Sequence, residues 1–139
     1  MKIKYFVPAV LLVFVFNSNG YGQSKRIIQE KGIKSVTTKE YFLDEHKDKP
    51  VVERIETFNE LGYLIEIKEF NSNENVKNWV KYTYDSVGNL IEEIFLDDRG
   101  RVDRTEKSIY QDGLRVERHF FNERGKMYKK KVYVYEFKD

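Results

Sequence analysis

The residues best equipped for chemistry are few and poorly spaced for it. Only two histidines occur, His46 in the charged stretch Asp44-Glu45-His46-Lys47-Asp48 and His119 far along the chain, and there is no cysteine. A zinc site needs several nitrogen or thiolate ligands at close spacing, so no metal site is expected. Asp97-Asp98-Arg99-Gly100 lacks the alternating oxygen ligands and distal glutamate of a calcium loop and reads as a turn. Glu92 and Glu93 are neighbours, which on a strand sends them to opposite faces and prevents them from serving one substrate as acid and base. No serine lies in a G-x-S-x-G elbow. The expectation is no catalytic residue, no cofactor and no enzyme; a small hydrolase stands as the weakest alternative.

What remains is aromatic surface and one basic run. Residues 23–139 hold 16 Phe, Tyr and Trp side chains, most of which a small core must absorb. Trp79, Tyr63 and Tyr128 are the expected exposed subset, able to stack on sugar rings or to anchor a protein partner. Trp79 shares its parity with Lys77, Lys81 and Thr83, so it either meets a ligand or is covered by the N-terminal segment. Lys129-Lys130-Lys131 is short, and lysines that guard a sheet edge explain it as well as an anion site does.

These side chains must be positioned by whatever the rest of the chain builds, and its first 22 residues are set apart. Lys2 and Lys4 precede an apolar run from Tyr5 to Phe16 and a small polar stretch to Gly22, the order of a secretory signal peptide. The apolar run is too short to span a bilayer, which takes about 20 residues. Gly20 and Gly22 favour cleavage before Gln23, which leaves 23 basic against 23 acidic residues. A neutral domain gives no electrostatic ground for nucleic acid or an anionic membrane as partner. The expected location is periplasmic or extracellular, with no stable anchor after cleavage.

After a charged arm at 23–34, either mobile or a short helix, a repeat dominates residues 35–139. Gly62, Gly88, Gly100, Gly113 and Gly125 recur at about 12 residues or twice that, and Asn71-Ser72-Asn73-Glu74-Asn75 fills the gap with Asn as the left-handed residue. Between these turns lie segments rich in Val, Ile, Tyr, Phe and Thr, including Ser35–Leu43, Val51–Phe58 and a final strand through Val132–Phe137. One strand plus one tight turn per period predicts an all-β antiparallel meander of about 7 to 8 strands. Alternation as in Val76, Val80 and Tyr82 against Lys77, Lys81 and Thr83 predicts one strongly apolar face, to be buried by curling, by a second layer or by a partner. Gly88 and Gly125 are expected at left-handed turn positions, whereas Gly32, outside the repeat, should tolerate change.

The segment Tyr82-Thr83-Tyr84-Asp85-Ser86-Val87-Gly88-Asn89-Leu90-Ile91 resembles the YD repeat of the RHS family, and Phe58–Glu66 and Phe121–Met127 are looser copies with Asn for Asp. There is a weaker likeness to MORN-type repeats. The resemblance implies β-hairpin repeats in an exported or surface protein. It supplies no catalytic residue, and so few repeats cannot build that family's encapsulating shell. Together these readings point to an exported non-enzymatic binding or scaffold module for a protein or carbohydrate surface; an inhibitor or immunity-type protein that neutralises an exported partner is the alternative.

Overall fold

A computed structural model describes residues 21–43 and 49–139. Nearly all of the proposed signal segment, and His46, lie outside these residues. The chain opens with α1 (Tyr21–Glu30) and continues through eight strands: β1 (Ser35–Glu40), β2 (Val51–Phe58), β3 (Leu64–Phe70), β4 (Val76–Tyr84), β5 (Leu90–Leu96), β6 (Val102–Gln111), β7 (Leu114–Phe121) and β8 (Met127–Val132). All eight lie side by side in chain order in one antiparallel sheet, which does not close on itself. The all-β meander expected from the repeat is the observed fold. The final strand is shorter than expected, ending at Val132, although Tyr133 still donates its N–H to the Val116 carbonyl at 3.0 Å.

The turns follow from one residue type at one place. Asn59, Asn71, Asp85, Asp97 and Asn122 each open a loop, and each side-chain Oδ1 accepts the backbone N–H groups two and four residues on, at 2.8–3.1 Å. The backbone closes around that cap. In the first of these loops the Gly62 N–H donates to the Asn59 carbonyl and the Asn59 N–H to the Tyr63 carbonyl, both at 2.9 Å. This is a tight turn followed by one left-handed residue, a standard three-residue hairpin loop. The left-handed place falls to Gly62, Gly88, Gly100 and Gly125, and in the second loop to Glu74, at φ 60°, rather than to an asparagine. The β6–β7 turn is one residue tighter, with Asp112 and Gly113 both at positive φ, the mirror-image turn that matches strand twist.

Three residues past each left-handed position, the register skips. Ile65, Lys77, Ile91, Asp103, Val116 and Tyr128 are passed over in the pairing of successive strands. Each is a bulge on the later strand of its pair, and bulges bend a sheet and deepen its twist. They also break the alternation on which the expectation of one apolar face depended. One face carries two rows of directly opposed residues. Glu56, Ile67, Val80, Phe95 and Arg104 form the first, and Tyr82, Glu93, Glu106, Phe120 and Lys129 the second. That face is apolar only along its middle, and among the described residues Ile67, Val80 and Phe120 are the only buried hydrophobics. The strands lie in a single layer, because a face carrying Glu56, Glu93, Arg104 and Glu106 has no apolar expanse that a second sheet would need to cover.

Helix α1 settles the alternatives left for the charged arm in favour of a short helix. The Gly32 N–H donates to the Gln29 carbonyl and the Ile33 N–H to the Ile28 carbonyl, the paired bonds of a glycine-ended helix. Gly32 accordingly sits at φ +62°. The expectation that it should tolerate change is therefore corrected: a β-branched side chain has open space there but the wrong backbone conformation. The helix rests on the β2–β3 turn, where a Cβ on Gly62 would come 2.5 Å from the Lys25 carbonyl oxygen.

Candidate functional site

The three aromatic residues singled out from the sequence are not brought together. Tyr63 lies in the β2–β3 turn, with one ring face stacked on Tyr84 at 4.7 Å and 30° and the Lys25 ammonium 3.5 Å from its centroid. Its hydroxyl points at Gly88, where an added Cβ would meet it at 2.1 Å. Trp79 belongs to β4, on the sheet face opposite Val80, and is half-buried. Its indole N–H donates to Glu66 Oε1 at 2.5 Å, Lys68 Nζ sits 3.9 Å from the ring, and Gly100 abuts its edge. Among the described residues, lysine, glutamate and a turn cover it. Tyr128 on β8 is 57% exposed, tilted against Phe120 at 6.4 Å.

A shallow cleft of about 260 Å³ lies beside Tyr63, between the β2–β3 turn and the end of β4. Tyr63, Tyr82 and Tyr84 line it together with Leu61, Asn59 and Asp85. Three of its polar groups are committed to structure. Asn59 and Asp85 cap their turns, and the Tyr84 hydroxyl donates to the Leu64 carbonyl at 2.8 Å. Hydrogen bonds from Asn89, through its side chain and its backbone, hold the Asp85 carboxyl below the ordinary aspartate range.

The strongest electrostatic feature is one that the sequence reading passed over. Glu92 and Glu93 do face opposite ways, Glu92 toward Lys107 at 3.5 Å and Glu93 toward the other face. Register instead pairs Glu93 with Glu106 across β5 and β6. The Arg118 guanidinium, from β7, bridges both carboxylates through one nitrogen, at 2.7 Å from Glu93 and in close contact with Glu106, while Arg104 Nε reaches Glu106 at 3.4 Å. Burial pushes the Glu93 carboxyl up, against the pull of the Arg118 charge. Paired carboxylates of unlike environment are the raw material of acid–base catalysis. Here each spends an oxygen on the same arginine, which makes the group an ion triad holding three strands together. The Arg118 Nε is buried with no hydrogen-bond partner.

His119 contacts Glu117 at 2.5 Å, and Lys130 approaches the same carboxylate at 3.5 Å. The hydrogen bond from His119 holds the Glu117 carboxyl below its ordinary range. Among the described residues no three His, Asp or Glu side chains converge on a common point. Nor is any helix among them long and apolar enough to cross a membrane.

Exposed apolar surface gathers at the other end of the sheet. Of the 14 large hydrophobic side chains exposed among the described residues, Met127, Tyr128, Val132, Val134, Tyr135 and Phe137 all fall on β8 or just after it. Between them run Lys129, Lys130 and Lys131, every one exposed. No protein-family model matches the chain, and no curated protein matches it.

Proposed function

We propose that the chain is an exported, non-enzymatic protein-binding module whose contact surface is β8 and the segment after it. The observation that carries this reading is the concentration of exposed apolar side chains in residues 127–137 around three lysines. Aromatic residues and methionine are enriched at protein interfaces, and charges beside such a patch set the sign of the partner. A glycan is the less favoured ligand, because stacking needs an open ring face. Tyr63 has both faces taken, by Tyr84 and Lys25, and Trp79 has Lys68 over its ring. Export rests on the signal-like order of residues 1–22, and the hairpin repeat with its likeness to YD repeats fits an exported or surface protein. Neutralisation of one exported partner is a form that this function would take.

The test is a photo-crosslinking amino acid placed at Tyr128 or at Tyr63 in the producing cell. A discrete adduct with another protein from position 128 and none from position 63 is the expected result. Adducts of equal yield from both positions, or none from position 128, would overturn the assignment of the surface.

A further inference from the structure

We infer that the outer edge of β8 is a strand-addition site for an extended acidic segment of a partner protein. The inference rests on the protein-binding reading above and names its mode and partner chemistry.

The first ground is the backbone. Among the described residues β8 pairs with β7 on one side and with no strand on the other, so alternate residues turn an N–H and a C=O outward along its length. Such a row accepts an extended peptide through main-chain hydrogen bonds, with side chains at alternate positions supplying selectivity.

The second ground is charge. Several cations within this sheet are matched by acids on the adjoining strand: Arg54 meets Glu69 at 2.5 Å, Lys107 meets Glu92 at 3.5 Å, and Lys81 lies directly opposite Glu66. β8 carries three lysines in succession and one such partner, Glu117 of β7, whose carboxylate lies 3.5 Å from Lys130. The ammonium groups of Lys129 and Lys131 rest instead by the Phe120 ring, at 4.0 and 5.6 Å from its centroid. A strand added beyond β8 would place acids opposite Lys129 and Lys131 on one face, two positions apart, and beside Lys130 on the other.

The same charges exclude a second copy of this chain. Two β8 edges side by side would set lysine against lysine, which is destabilising. The other free edge, β1, offers Glu40 next to Lys39 as its only acid, too little to match three lysines.

The probe is a fluorescein-labelled ten-residue peptide alternating Glu with Val and Thr, titrated with the protein and followed by anisotropy. We expect saturable binding, weakened at least tenfold by N-methylation of alternate peptide amides and at least tenfold by the pair Lys129→Gln and Lys131→Gln. Circular dichroism and the melting temperature of that variant should match the parent, since both side chains are exposed; if it unfolds, Lys130→Gln alone replaces it with a smaller expected loss. No binding overturns the proposal. Equal binding of the N-methylated peptide or of polyglutamate also overturns it, and leaves the lysines as guards against edge-to-edge aggregation. A Tyr128 adduct in cells without peptide binding removes the edge mode while leaving the module itself in place.

Discussion

Replacing Arg118 by methionine removes the shared cation from Glu93 and Glu106 while keeping most of the side chain's bulk. The side chains of Glu93, Glu106 and Arg118 are 17%, 10% and 23% exposed, so the group is largely but not wholly out of water. Breaking a fully buried pair by removing one partner costs about 3 to 5 kcal/mol. With residual solvent screening the expected loss at pH 7.5 is about 3 kcal/mol, a large part of the stability of a small domain, ~5–15 kcal/mol. The loss should depend on pH, with a sign fixed by Glu93. Its carboxyl is already raised above the ordinary glutamate value of 4.5 by burial, and loss of the arginine must raise it further. In the window above 4.5 the folded variant binds more protons than the unfolded chain, so its stability grows as pH falls toward that value. Urea unfolding followed by the fluorescence of Trp79, the only tryptophan, at pH 7.5 and pH 5 measures this. A variant that loses the same free energy at both values, or less than about 1 kcal/mol at pH 7.5, would refute the view of these residues as a buried ion triad.

Other expectations concern the turns and the N-terminus. Glu74→Gly should stabilise the protein by about 1 kcal/mol in thermal or urea unfolding, since a left-handed non-glycine residue costs roughly that much; a destabilised variant would refute the geometry of that loop. Gly88→Ala should cost more than Gly125→Ala, because both glycines have positive φ but only Gly88 has the Tyr63 hydroxyl in the path of a Cβ; equal shifts in melting temperature would argue against the Tyr63 placement. Below about pH 4 the wild type should lose stability as Asp85 and Asp97, whose carboxyls are held below the ordinary aspartate value of 3.8 by hydrogen bonds from Asn89 and Arg101, take up protons and release their turns; Asp85→Asn, which keeps the cap without the charge, should flatten that acid limb. Intact-mass measurement after export by a bacterial host should show removal of Met1–Gly22, and retention of those residues would defeat the export proposal.

The turns were legible because their cause is local. Asn59, Asp85, Asp97 and Asn122 announce a capped loop wherever the chain runs, and glycine three residues later completes it. The second loop was legible through Asn71 but not through Glu74, a residue type with no left-handed preference, held there by the cap and the flanking strands. The face pattern was not legible, since one skipped residue per strand shifts parity midway, and only the register reveals that Lys77 or Val116 is the one skipped. The ion triad was hidden for a related reason: adjacency in sequence made Glu92 and Glu93 look like the pair to test. Glu93, Glu106 and Arg118 stand 13 and 12 residues apart, one repeat each, so stacking the repeats in columns would have brought them together. Exposed aromatics were the hardest to judge. Nothing near Tyr63 or Trp79 in the chain indicates that Lys25 and Lys68 will cover them.

The tyrosine that donates from Tyr84 to the Leu64 carbonyl has two counterparts, Tyr110 to Leu90 and Tyr135 to Arg115, at 3.2 and 2.7 Å, and every one of the three spans 20 residues. Tyr84, at the end of β4, pairs with β5 and ties itself to β3; Tyr110, at the end of β6, ties itself to β5 in the same way, and Tyr135 fastens the segment after β8 to β7. The corresponding place in β2 is Phe58, which has no hydroxyl. Although turns recur about every 12 residues, the fastenings recur every 25 or 26. The tyrosines therefore group β3 with β4 and β5 with β6, and the Glu93–Glu106–Arg118 triad joins β7 to the second group. In a one-dimensional array whose stability is a sum of unit and neighbour terms, opening would proceed from an end in steps of two or three strands. Native-state hydrogen exchange would then sort the amides into blocks of that size, with β1 and β2, outside the tyrosine series, exchanging first.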